Sequence, residues 1–225
     1  MPRNTIAPGE CYHVYNRGVN KQAIFQKTYD YARMLFVVIF AQSPLALSNV
    51  SPHIESFLKN RDFNVSNSLA NKILQERTVE LSTFALMPNH FHLELREVAE
   101  GGIADYLQRL EISHTKFFNI KYGRSGYLFQ GPFQSVHMKT NEQALYLSAY
   151  IHRNPRELSG WKNKEDIYPW SSYQDYVKRN RWGAFLNSEI TLGQFSTPAE
   201  YRDFVETSGA KEKEIIKDEF LIDSS

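Results

Sequence analysis

The chain has 225 residues, 42% hydrophobic and 14% aromatic, enough for one domain of ordinary size with additions, which excludes wholesale disorder. A single cysteine, Cys11, excludes an internal disulfide framework and cysteine-rich zinc sites. The formal net charge is only +1, yet residues 184–225 carry 4 basic and 9 acidic side chains while the first 183 carry 22 and 16. A basic body with an acidic tail is compatible with a phosphate-binding face, and equally with ordinary solvated charge.

The N-terminus (MPRNTIAPGE) lacks an apolar leader, and the longest apolar run, Met34 to Ala41, is too short for a bilayer. The expectation is a soluble, cytoplasmic protein with no membrane partner.

Cys11 to Val19 is rich in β-formers and closes on Gly18, which predicts a strand. Thr28 opens an apolar helical pattern that stops before Ser43-Pro44. Residues 44–68 hold Ser, Asn and two prolines and read as an insertion with one short helix. Val79 to Met87 and His90 to Glu97 alternate like strands around the turn chemistry of Pro88-Asn89, predicting an antiparallel hairpin.

Gly101-Gly102 then breaks the chain, and Ile103, Tyr106, Leu107, Leu110, His114, Phe117 and Phe118 follow at helical spacing as far as Tyr122-Gly123. Phe133 to Lys139 is expected to be the fourth strand. Thr140 to Gln143 (TNEQ) reads as a capping box for a helix over Glu142 to Arg153, stopped by Pro155. Trp170 to Lys178 and Pro198 to Glu206 read as peripheral helices, with Trp170 packing this end onto the core.

The order strand, helix, strand, strand, helix, strand, helix predicts an α+β fold: a ferredoxin-like antiparallel sheet with helices on one face, plus C-terminal peripheral helices. The expected organisation is one domain over residues 8–180 and a helical, acidic extension over 181–225. No repeat or low-complexity segment interrupts it.

His90-Phe91-His92 is the first candidate for chemistry. Residues i and i+2 of a strand share a face, about 7 Å apart along the chain, so two imidazoles here are able to grip one divalent ion. Seven histidines in the chain make one such pair a weak signal by itself. The second candidate is the helix ALYLSAYIHRNP, in which Tyr146, Tyr150 and Asn154 stand at i, i+4 and i+8. Tyrosine in a helix is commonly a packing residue. Asn154 adds an amide oxygen, and oxygen with imidazole donors suits magnesium or manganese.

Taken together, LMPNHFHLELRE, GRSGYLFQGPFQS, YLSAYIHRNP and YPWSSY, in that order, resemble the REP-associated tyrosine transposases, single-tyrosine members of the HUH nucleases. The resemblance runs from about Tyr12 to Tyr176. It implies His90, His92 and Asn154 as metal ligands and Tyr150 as catalytic nucleophile, with magnesium or manganese as cofactor. It also implies a ferredoxin-like sheet carrying the histidines on a central strand, and the tyrosine on a helix facing them. The implied activity is DNA transposition by a single-strand endonuclease that cuts and rejoins single-stranded DNA near hairpins through a covalent 5′-phosphotyrosine. Two features depart from the pattern: the extra length of residues 44–68, and His152, where many relatives carry an aromatic.

The expected partner is single-stranded or hairpin DNA, and a monomer is favoured over a homodimer. Arg17, Lys21, Arg109, Lys116, Lys121, Arg124, Arg153 and Arg156 are candidates for phosphate contacts, and Tyr127, Phe129 and Phe133 for stacking on unpaired bases. Ordinary surface arginines and core phenylalanines explain each of these as well. The acidic tail is expected to occupy the basic groove when DNA is absent. The alternative is a domesticated module that recognises DNA hairpins without cutting. A two-histidine phosphoesterase needs two histidine motifs, and the chain has only His90-Phe91-His92, with no second copy.

Overall fold

The computed structural model describes residues 6–210; the acidic end of the chain, residues 211–225, lies outside the described residues. The strands are β1 (Cys11–Arg17), β2 (Val79–Met87), β3 (His90–Glu97) and β4 (Gln134–Met138). They form one sheet in the order β2-β3-β1-β4, with every neighbouring pair antiparallel. The chain passes through α1 (Thr28–Phe40), α2 (Val50–Asn60) and α3 (Asn67–Gln75) between β1 and β2, and through α4 (Gly102–Tyr122) between β3 and β4. Each connection skips a strand, which is the ferredoxin-like topology expected from the element order.

The hairpin of β2 and β3 closes at Pro88-Asn89, with Met87 paired to His90. A bulge between Leu81 and Thr83 breaks the strict alternation of β2. It leaves Thr83 on the face that carries Glu94, and Phe84 and Leu86 on the other. Both faces of β2 and most of β3 are buried, because helices cover the sheet on both sides.

One face is covered by α1 and α4. Asn16 on β1 donates to Glu111 of α4 (2.8 Å), and the Tyr106 hydroxyl donates to the Val38 carbonyl of α1 (2.8 Å). The first turn of α4 is fixed by sequence-local means: the Glu97 carboxylate at the end of β3 accepts from the backbone of Gly102 (3.1 Å) and Ile103 (2.7 Å). Glycine is required at 102, since a Cβ there would stand 2.3 Å from the Thr78 carbonyl oxygen.

The opposite face is covered by α5 (Asn141–Arg153) and by the C-terminal elements α6 (Tyr173–Val177), α7 (Glu189–Leu192) and α8 (Pro198–Thr207). The capping box of α5 forms with a shift: Thr140 Oγ1 accepts from Gln143 N (3.1 Å), while Gln143 reaches back to Lys139 N (2.7 Å). Tyr176 and Tyr201 are fully buried, so α6 and α8 seal the sheet. Trp170 stacks on Tyr31 of α1 at 5.1 Å.

Residues 44–68 contain the one short helix expected, α2 over 11 residues, and Ser66 near the end of the segment caps α3 by accepting from Leu69 N (3.3 Å). Phe57 and Phe63 anchor it, stacked at 4.4 Å and covered by Trp182. No helix among the described residues is long and apolar enough to cross a membrane.

Candidate metal and tyrosine site

The sequence predicts two histidines on one strand face and a tyrosine and an asparagine on one helix; the fold brings the four together. His90 and His92 project from central strand β3 toward α5, their rings 4.9 Å apart and perpendicular. Tyr150, one turn before the end of α5, stands edge-on to His92 with ring centroids 5.5 Å apart. Asn154, where α5 passes into a 3-10 turn, places Oδ1 3.4 Å from His90 Nε2. Its amide is not free to rotate, because Nδ2 donates to the Tyr150 carbonyl (3.1 Å). Tyr146 lies one turn before Tyr150 and packs on Phe204 of α8 (5.1 Å).

The donor set fits a divalent ion. His90 Nδ1 is 2.8 Å from Asn89 Oδ1, a closer acceptor than Asn154 Oδ1 is for Nε2 (3.4 Å), which favours the proton on Nδ1; with the proton there, the Nε2 lone pair faces Asn154. Two adjacent ligands of an octahedral ion with bonds near 2.1 Å lie about 3 Å apart, close to the observed spacing of His90 Nε2 and Asn154 Oδ1. Among the described residues no group of three His, Cys, Asp or Glu side chains is placed to hold a metal, so an ion here needs the Asn154 amide as a donor.

Three residues that sequence reasoning passed over surround this set. His13 of β1 is fully buried, with Nε2 2.9 Å from His92 Nδ1, and burial holds its pKa down at about 3. Asn89 was read only as a turn residue. Glu94, opposite His13 in the β1–β3 register, is buried; burial pushes its carboxyl up to about 7, against the Thr83 hydroxyl that donates to it (2.7 Å). All three sit in strands or turns that were recognised. Strand register is what brings His13 to His92 and Glu94 to Thr83, and alternation alone does not give that; Asn89 bonds its own neighbour in the turn.

A cleft of about 510 Å³ opens beside His90, lined by Arg17, Lys21, Asn89, Glu157 and Leu158 among others. Lys21 arrives there on a tight turn in which Asn20 (φ 53°) and Lys21 (φ 57°) both take the left-handed conformation. Gly18 makes the turn possible, since a Cβ on it would meet the Gln22 carbonyl oxygen at 2.2 Å. Tyr150 itself is only 3% exposed.

Of the eight cationic candidates, Arg17 and Lys21 alone line this cleft. Arg109 donates to the carbonyls of Ala41 (3.0 Å) and Ser43 (3.2 Å), closing the C-terminal end of α1. Lys121 pairs with Asp30 (2.5 Å). Burial pushes the Asp30 carboxyl up, but bonds from Lys121, Tyr122 and the backbone of Gln26 and Lys27 hold it below its ordinary range. Lys116 lines a separate hollow on α4, on the far side of the sheet. Arg124 lies over the Phe118 ring (5.5 Å), and Arg156 pairs with Glu165 (2.5 Å). Arg153 and Arg156 line a small cavity beside α8. Among the stacking candidates, Phe129 is a core residue against Phe91 (5.9 Å), Phe133 is partly buried, and Tyr127 is 88% exposed.

An antiparallel ferredoxin-like sheet with histidines on its central strand and a tyrosine helix across from them defines the class of architecture. One solved structure to which the chain is similar is described as a REP-associated tyrosine transposase bound to a REP hairpin. The chain is similar to it with a TM-score of 0.53 and 16% identity, over 88% of this chain and 95% of that one. That likeness establishes the fold. No protein-family model matches the chain, and no curated protein matches it.

Proposed function

We propose that this protein is a DNA-nicking transposase that uses Tyr150 as nucleophile and a divalent metal held by His90, His92 and Asn154. The observation that carries the reading is the convergence of those four side chains from β3 and α5 onto one site. The solved transposase with the same fold holds a REP hairpin, which makes single-stranded DNA bearing a hairpin the substrate class to test.

The chemistry follows from what a phosphodiester resists. Its charge repels nucleophiles, and attack concentrates further charge on the non-bridging oxygens. A bound magnesium or manganese ion would neutralise that charge and orient the phosphate. Tyr150 Oη attacks phosphorus in line, the bond to the 3′ oxygen breaks, and the phenol proton passes to solvent while the departing oxygen gains one. The products are a 5′-phosphotyrosine and a free 3′-OH. The ester keeps the energy of the broken bond, so a second 3′-OH can reverse the step on another strand without ATP. Asn154 keeps its oxygen on the His90 side because its amide is tethered to Tyr150, and Arg17 and Lys21 meet the backbone along the cleft.

The test is incubation with single-stranded hairpin oligonucleotides and manganese, followed by a denaturing gel. A covalent protein–DNA adduct is expected, absent in both Tyr150→Phe and His90→Ala. An adduct that persists in Tyr150→Phe moves the nucleophile elsewhere. The near-complete burial of Tyr150 favours a second reading, a module that holds hairpins without cutting them. Hairpin binding with no adduct from the wild-type protein selects it.

A further inference from the structure

We propose that His13 is a positioning residue of this site: its Nε2 accepts the Nδ1 proton of His92, which leaves His92 Nε2 as the lone-pair donor toward the metal. The inference rests on the metal-site reading above and adds a residue to it that neither the motif nor the helix pattern contains.

Geometry carries the argument. His13 and Glu94 are register partners across β1 and β3, so His13 is the diagonal neighbour of His92 on the same face of the sheet. The two rings stack at 15° with centroids 5.1 Å apart, and the facing nitrogens are 2.9 Å apart, a full hydrogen bond. Two neutral imidazoles joined in this way share one proton, and only two arrangements exist.

If His13 donates, the proton of His92 must sit on Nε2, and that nitrogen is lost as a ligand. If His92 donates, Nε2 is available. A ligand histidine ordinarily turns its other nitrogen toward an acceptor that fixes tautomer and ring orientation. His90 has that acceptor in Asn89 Oδ1 at 2.8 Å. His13 completes the pair, so each candidate imidazole ligand is backed by one acceptor. Both acceptors lie within the sheet and its hairpin rather than on α5. The strand side of the site is therefore set before the tyrosine helix contributes Asn154.

The role differs from mere packing in what can replace it. Glutamine at position 13 keeps an acceptor oxygen; leucine fills the volume and accepts nothing. The experiment measures binding of Mn²⁺ alone to the full chain, by the loss of the free-ion signal in electron paramagnetic resonance, for wild type, His90→Ala, His13→Gln and His13→Leu. Expected are loss of binding in His90→Ala, a 10–100-fold weaker affinity in His13→Leu, and His13→Gln within about threefold of wild type.

Leucine and glutamine variants that bind as wild type, or that weaken equally, overturn the assignment of His13 while leaving the metal site standing. A wild-type protein that binds no Mn²⁺ overturns the metal site, and this inference with it. A measurement on the unsubstituted protein guards against a leucine variant that does not fold. In ¹⁵N spectra of its imidazoles, His92 is expected to carry its proton on Nδ1, and a proton found on Nε2 overturns the proposal.

Discussion

Asn154 holds its oxygen 3.4 Å from His90 Nε2 because the other end of its amide is bonded to the carbonyl of Tyr150, one helical turn back. The proposed ligand and the proposed nucleophile are thus linked through the last turn of α5. Alanine at 154 removes both the oxygen and the tether, and we expect at least about a tenfold loss of Mn²⁺ affinity and of adduct yield. Aspartate restores a metal-binding oxygen but cannot donate to Tyr150, so it should recover affinity and only part of the yield. Titration of Mn²⁺ beside adduct quantification on gels separates the two effects. Equal recovery of both would show that the tether is idle.

The cationic residues divide by location, and the division predicts their behaviour. Arg17 and Lys21 line the cleft beside His90. Arg17→Ala and Lys21→Ala should each weaken single-stranded DNA binding and lower the slope of log K against log salt by about one contact's worth, near 0.7. Arg109→Ala should instead leave DNA binding unchanged and lower stability by about 1–2 kcal/mol, since the carbonyls of Ala41 and Ser43 lose their donor. Affinity measured at several salt concentrations, with a urea melt of each variant, checks both. A loss of DNA affinity in Arg109→Ala with an unchanged melt would contradict the division.

The same residues mark where sequence reading stops. The limits of β2 and β3 follow from Val79 to Glu97 alone, because alternation and Pro88-Asn89 set strand and turn locally. The α5 cap is equally local. Tyr150, Asn154 and the two β3 histidines were identified by pattern and resemblance, and the fold brings them together.

His13 was not legible, since its meeting with His92 depends on the register of β1 against β3, which no local rule encodes. Arg109, Lys121 and Arg156 illustrate the reverse. A basic residue looks alike in sequence whether it faces solvent, an Asp30 far along the chain or a Glu165 across a turn. Helix α3 was missed because NSLANKILQ is too short and polar to show a period.

His152 is part of the structure that seals the sheet. It is fully buried, with Nδ1 2.7 Å from the Tyr201 hydroxyl and Nε2 2.8 Å from Ser172 Oγ, tying α5 to α6 and α8. His152→Phe removes one bond from each hydroxyl, while Tyr201 keeps Ser148 Oγ (3.0 Å) and Ser172 Oγ keeps Phe84 N (2.9 Å), and should cost about 1–3 kcal/mol at pH 7. Burial also lowers its pKa to about 3, and that of His114 to about 4. A base whose folded pKa is depressed contributes stability above its unfolded value of 6.5, and that stability is lost as pH falls toward the folded value. The protein should therefore lose stability between pH 6.5 and 4, and His152→Phe should flatten the loss. Urea melts at pH 7 and pH 5 provide the comparison.

Glu111 acts in the opposite direction. It lies on α4, facing the sheet, and burial pushes its carboxyl up to about 7 in spite of the bond it accepts from Asn16 (2.8 Å). An acid with a raised folded pKa holds its proton more tightly when folded, so stability falls as pH rises from the unfolded value of 4.5 through about 7. Glutamine at this position keeps the acceptor for Asn16 and never ionises. The two proteins should melt alike near pH 4.5, with Glu111→Gln gaining as pH rises to a difference of about 1–2 kcal/mol at pH 8, a figure reduced for partial solvent screening. A gap that is the same at both pH values would mean that ionisation of Glu111 has no part in it. Because Asn16 also donates to the Gly131 carbonyl (3.1 Å) and accepts from Arg17 N (2.8 Å), the same substitution should leave the cleft-lining Arg17 in place and DNA affinity at pH 7 unchanged.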